Sequence, residues 1–185
     1  MSSTSNQGKS TEINTTEEEP QINEILLNKI NKILMIILKE NKTLKNYKEK
    51  CELQKDMAFT SYNKPSLSVK EYLYRIQTYA EVEDNTIIIG LIYIDRICDH
   101  SSVILTPYNI HRIIFISILM AIKYNEDICF EYEFYSKIAG LPMKELKILE
   151  REYIDLIKFH FFVKREEFDK YKLYIDDIEF ESNKK

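Results

Sequence analysis

Asp95 closes a run of eight uncharged residues, Ile87-Ile88-Ile89-Gly90-Leu91-Ile92-Tyr93-Ile94. A carboxylate beside so apolar a stretch is costly unless it is paired. The planar fork of Arg75, one predicted helix earlier, is the natural partner. Lys123 follows a second uncharged run, Phe115 to Ile122, near the end of a predicted helix, where a cation is favourable. Taken alone, Lys123 reads as a side chain satisfying the helix dipole and Glu150 as an exposed acid. Catalysis finds little to work with. An Asp/His catalytic pair would need a nucleophile and an oxyanion site, and nothing in the chain suggests either. Cys51, Cys98 and Cys129 are odd in number and widely spaced, and they carry no local activating signature. With His100, His111 and His160 they form no cluster of zinc-ligand spacing, so they read as half-buried apolar thiols in a reducing compartment, with no metal or cofactor implied.

The elements that position these side chains come from a chain of 185 residues, the size of one domain with tails. Apolar residues make up 44%, enough for a packed core. Only 3 Gly and 4 Pro occur, which disfavours turn-rich β folds and phosphate loops and favours helices. A net charge of −4 supplies no general attraction to nucleic acid. The polar opening MSSTSNQGKS lacks the apolar core of a signal peptide, and no run approaches the ~18 residues of a membrane span. The expectation is a soluble intracellular protein with neither a membrane nor a nucleic-acid partner.

Residues 1–20 are polar and acidic and read as a disordered tail. Pro20, behind three glutamates, suits a first helical position. Ile22, Leu26, Ile30, Ile33 and Ile37 recur at helical spacing, with Ile25, Leu34 and Leu38 widening the stripe, which predicts an amphipathic helix from Gln21 to Leu38. The chain's own core or a partner must cover it. The Lys-rich remainder up to residue 58 is a linker or short helix.

Farther along, Ser68 can cap a helix over Val69 to Ala80, with Glu71 in its first turn. Asp84 can cap the next, through Cys98. Thr106-Pro107 opens another, to about Tyr124, on which Ser117 and Ala121 are small enough for close helix approach. Tyr132 to Ala139 should stop at Gly140. Pro142 begins the last long helix, to about Phe161, with Leu146, Leu149, Tyr153, Leu156 and Ile157 inward. A short helix over Glu166 to Tyr174 ends the series. Two of these segments are apolar almost all round, so they need neighbours on every side. The physics therefore predicts a globular all-α bundle with caged central helices.

An ordered set of motifs resembles the cyclin box, most closely that of the P/U-type cyclins. Pro65 to Ile76 carries a YLxRI-like opening helix. Leu91-Ile92-Tyr93-Ile94-Asp95-Arg96 is similar to the second-helix YIDR signature, and Asn109-Ile110-His111-Arg112 to the third-helix NVHR. Ala121 to Asp127 resembles AAKFxED, Phe134 to Gly140 resembles YYAKVGG, and Lys144 to Glu150 begins a KELxxLE. Ala139 and Ile122 depart from a usual Gly and a usual Ala. The likeness covers residues 59–168, leaving 169–185 as a C-terminal extension and 21–58 as an N-terminal helix and linker.

The resemblance implies a five-helix box plus an extra N-terminal helix, acting as a non-catalytic regulatory subunit of a cyclin-dependent serine/threonine kinase. It implies an internal salt bridge between Arg75 and Asp95. It also implies that Lys123 and Glu150 lie together on the kinase-facing surface and bond main-chain groups near the kinase C-helix. Ile116, Met120, Phe130, Tyr132 and Tyr135 are the candidates for the groove that receives that helix. His111 and Arg112 belong to the signature without an evident role. The alternative within the fold is a cyclin-box adaptor that activates no kinase, but relatives of that kind use tandem boxes with basic surfaces.

Overall fold

Residues 22–179 are described by the computed structural model, and among them there are eight helices and no strand. They are α1 (Glu24–Asn41), α2 (Tyr47–Leu53), α3 (Val69–Ala80), α4 (Asp84–His100), α5 (Ile110–Asn125), α6 (Tyr132–Ala139), α7 (Met143–Ile157) and α8 (Arg165–Asp177). Helices α3 to α7 are the five-helix box expected from the sequence. α4 and α5 sit at its centre, α3, α6 and α7 pack around them, and α1 and α8 close the remaining sides.

Local chemistry explains most boundaries. Ser68 caps α3 in a full capping box, its hydroxyl accepting from the Glu71 N–H while the Glu71 carboxylate accepts from the Ser68 N–H. α6 stops at Gly140, whose φ of 70° is the left-handed conformation glycine adopts freely. Other starts shift. Pro20 lies outside the described residues, and α1 begins at Glu24 with Asn23 as cap, its Oδ1 accepting from the Leu26 N–H at 3.0 Å. Asp84 does not cap α4. It is the first helical residue, and its carboxylate accepts from Asn23 Nδ2 (2.6 Å) and Gln77 Nε2 (2.9 Å), which ties α1 and α3 to the start of α4.

Thr106-Pro107 forms a turn ahead of α5 rather than its first residues. Buried Asn109 closes that turn, accepting from the Thr106 N–H (2.7 Å) and donating to the Ile104 carbonyl (2.9 Å). α7 ends at Ile157, short of the expected Phe161, because Lys158 and Phe159 take left-handed backbone (φ 53° and 59°). The reversal returns Phe161 to the core. Its ring meets Tyr93 edge-on at 5.5 Å, and its carbonyl accepts the buried Tyr93 hydroxyl at 2.6 Å. α8 is longer than expected, running from Arg165 to Asp177.

Leu26, Leu27, Ile30, Ile33, Leu34 and Leu38 of α1 are all buried in the common core, so the chain itself covers this face of the helix, while Ile25, expected to widen it, lies exposed. α5 is buried from Ile113 through Ile122 without interruption, as its composition demanded. The two central helices pack closely at Gly90. A Cβ there would lie 2.9 Å from Ile118 Cγ1 and 3.3 Å from its Cα. Gly90→Ala should therefore lower stability by a net ~1 kcal/mol: overpacking costs about 1–3 kcal/mol, against about 1 kcal/mol gained in helix propensity. Thermal denaturation checks this. A rise in melting temperature would show that the contact relaxes freely.

Candidate docking site

Lys123 lies in the last turn of α5, Tyr132 is the first residue of α6, and Glu150 projects from α7. The packing of these three helices brings the side chains together. The Lys123 ammonium donates to both Glu150 oxygens, at 2.8 and 2.9 Å, and to the Tyr132 hydroxyl at 2.8 Å. Tyr132 in turn donates to Glu150 Oε2 at 2.6 Å. The Lys123 and Glu150 side chains are 22% and 13% exposed, so the cluster reaches the surface without being loose upon it. Burial alone would lower the Lys123 pKa, but the hydrogen bonds and charge of Glu150, with Tyr132, outweigh it and hold the ammonium above its ordinary value. Burial first, then the bond to Glu150, raises the Tyr132 hydroxyl.

The five apolar and aromatic candidates divide. Ile116, Met120 and Tyr135 are buried and pack in the core of this structure. A helix that is apolar on every face offers no sequence cue to which side meets solvent. Phe130 is 43% exposed, stacks against Phe134 at 4.5 Å, and sits in the α5–α6 connection beside exposed Ile128. Tyr132 is half-buried. Ile128 carries no signal in the sequence, because an aliphatic residue in a polar connection belongs to no periodic stripe.

Arg75 and Asp95 do not pair. Arg75 donates to the Lys137 and Ile138 carbonyls (2.8 and 3.0 Å), satisfying the negative C-terminal end of α6. Asp95 lies on the exposed side of α4 and accepts from the Tyr171 hydroxyl of α8, so it needs no buried cation. The structural cation of this motif is its neighbour. Arg96, 14% exposed, donates to the His160 carbonyl (2.7 Å), the Phe162 carbonyl (3.0 Å) and Glu167 (2.8 Å), which fastens α4 to the α7–α8 connection.

His111 and Arg112 acquire a role as well. His111 Nε2 donates to the Leu67 carbonyl at 2.8 Å, and Arg112 donates to the Ala58 carbonyl at 2.6 Å while pairing with Glu145 of α7. Together they pin the 58–67 segment across α5, beneath which Phe59 is buried against Tyr153. Burial holds the His111 imidazole below its ordinary pKa of 6.5, against the opposing pull of the Leu67 and Ser68 backbone. Above about pH 6.5 both folded and unfolded chains carry this histidine neutral. As pH falls, the unfolded chain binds the proton first. Stability is then lost, by up to about 1.4 kcal/mol per pH unit, until the lowered folded value is passed. Urea midpoints at pH 7.5 and 5.5 should fall more for the natural chain than for His111→Gln. Equal falls would count against this assignment.

Cys51, Cys98 and Cys129 are free thiols, and burial with Asp95 and Asp99 nearby pushes Cys98 up to about 12, leaving it protonated and a poor nucleophile at neutral pH. No helix among the described residues is long and apolar enough to cross a membrane.

A family model described as Cyclin matches residues 3–161, most of the chain. The chain belongs to the cyclin family. Its relatives specify the branch. Cyclin-U4-3 of Arabidopsis thaliana is 29% identical over 86% of this cyclin and 71% of its own length. Cyclin-U4-2 of the same plant is 34% identical over 55% of this cyclin and 48% of its own length. The PHO85 cyclin-like protein psl1 of Schizosaccharomyces pombe is 32% identical over 62% of this cyclin and 48% of its own length. This cyclin thus spans about half the length of two of these three relatives. Its all-helical fold and its relatives place it with the P- and U-type cyclins.

Proposed function

We propose that this cyclin binds a cyclin-dependent serine/threonine kinase and activates it by packing on the kinase C-helix. The observation that supports this best is the Lys123–Glu150 pair, held across α5 and α7 at the surface. An ammonium and a carboxylate fixed side by side are suited to a main-chain carbonyl and N–H of a partner. The exposed Phe130 and Ile128 beside α6 supply apolar area. The names of the U-type and PHO85 cyclin-like relatives agree with a kinase partner.

The mechanism is a shift of population, in which the cyclin contributes no catalytic group. It binds the kinase better with the C-helix rotated inward, where the helix glutamate reaches the lysine that positions ATP. The shift equals the differential affinity for the two states, so a rigid docking face is what the cyclin must supply. Rigidity comes from the core beneath. Buried Ser117 of α5 bonds the Tyr153 hydroxyl of α7 at 2.8 Å, and that hydroxyl donates to the Tyr93 carbonyl of α4 at 3.1 Å.

The test is a pull-down with the whole chain, followed by a phosphorylation assay on the kinase recovered. Activation predicts a kinase whose rate rises with added cyclin. A stable complex whose rate never rises would favour a scaffold instead.

A further inference from the structure

Three oxygens contact the Lys123 ammonium: the Tyr132 hydroxyl and both oxygens of Glu150. The hydroxyl also donates to Glu150 Oε2, so it fills the position that bridges the pair. If the pair docks a kinase, as proposed above and on which this inference rests, a peptide unit that bonds both Lys123 and Glu150 needs that bridging position. The contacts between Lys123 and Glu150 join opposite charges, whereas the Tyr132 hydroxyl brings no charge of its own to either bond. The hydroxyl is therefore the group that yields.

We infer that Tyr132 is a placeholder: its hydroxyl occupies the position on Lys123 that a carbonyl of the docking partner takes over. Three features make it suited to this. Its oxygen bridges the pair, accepting from Lys123 and donating to Glu150 Oε2, so one phenol fills a donor and an acceptor site together. That matches a peptide unit of the partner, whose C=O and N–H would fill the same two sites. The Lys123 ammonium also sits 4.0 Å from the centroid of the Tyr132 ring, and Lys147 of α7 is 5.1 Å from it. The aromatic face therefore keeps Lys123 in place after the hydroxyl bond is exchanged. Finally, Tyr132 opens a short helix next to the α5–α6 connection and is only half-buried, so a small tilt of the ring is enough to release the hydroxyl.

The placeholder tunes affinity and sets specificity. In the free cyclin it satisfies an ammonium that would otherwise be partly buried with an idle donor. In the complex its hydroxyl competes with the partner, so a partner that offers only a side-chain carboxylate, without an N–H for Glu150, gains less by displacing it. Tyr132 acts through Lys123 and Glu150 and is a positioning residue.

Tyr132→Phe keeps the ring and removes only the oxygen, and circular dichroism should show an unchanged helical fold. The proposal expects this variant to bind the recovered kinase about threefold to tenfold more tightly than the natural chain. Lys123→Ala, measured in the same titration, tests the docking reading separately. If Lys123→Ala binds normally, the reading of the site fails. If Lys123→Ala weakens binding and Tyr132→Phe leaves it unchanged or weaker, the placeholder fails while the site stands. Adding Tyr132→Phe to a chain that carries both Lys123→Ala and Glu150→Ala should bring no gain, because both of the bonds for which the hydroxyl competes are then gone. A gain in that background would overturn the proposal, since a general loosening of α6 would then explain it.

Discussion

Replacing Lys123 and Glu150 together by alanine is expected to weaken kinase binding about a hundredfold to ten-thousandfold while leaving the isolated cyclin folded. Each side chain offers the partner a charged hydrogen bond, and such bonds contribute about 1.5–3 kcal/mol apiece. Stability is spared because the two charges leave together, so no buried ion is stranded. The pair is also partly exposed, at 22% and 13%, and its net contribution to folding is about 1 kcal/mol or less. Titration of the recovered kinase with natural and double-variant cyclin measures the first effect, and a melting curve the second. Undiminished affinity would remove the pair from the interface.

The second large effect concerns Arg96. Its guanidinium holds the His160 and Phe162 carbonyls and Glu167 in a setting that is only 14% exposed. Arg96→Ala breaks all three bonds and leaves the left-handed reversal at Lys158 and Phe159 without its fastening to α4. The expected loss is about 3 kcal/mol, a fall in melting temperature of about 6–12 °C. Arg75→Ala should cost less, because its two bonds go to carbonyls at the end of a short helix. Comparing the two melting temperatures decides between the observed arrangement and the salt bridge expected from the sequence. Were Arg75→Ala the more damaging change, Arg75 would carry the structural burden after all.

That comparison also shows which features the sequence makes legible. Ser68, Glu71 and Gly140 can be placed because capping and left-handed turns are decided within four residues of chain. The two central helices are recognisable because only a caged helix can be apolar all round. Charge partners are not, because α8 and the α7–α8 connection take the charged side chains of α4 while the end of α6 takes Arg75 of α3, and only the packing settles that outcome. Asp95 follows an apolar run yet faces outward, whereas Arg96, one residue and about a hundred degrees farther round the helix, is the one drawn in.

The same limit applies to Ile116 and Met120 of α5, whose burial no periodicity could report; Tyr135 of α6 shares an inward face with Ile138, three residues on. Lys123 and Glu150 stand out only through family motifs, and residue spacing alone leaves them as a lysine at a helix end and an exposed acid. The Tyr132 hydroxyl is invisible in another way. The sequence marks the residue for its ring, while its position at the start of α6 is what lets the oxygen bridge a lysine and a glutamate from two other helices.

Hydrogen–deuterium exchange on the cyclin, alone and saturated with its kinase, probes the docking face most directly. Slower exchange on binding should concentrate in residues 124–134, the connection carrying Ile128 and Phe130 together with the start of α6. Protection confined to α1 and α8, with residues 124–134 unchanged, would place the kinase on the opposite side of the bundle and contradict the account.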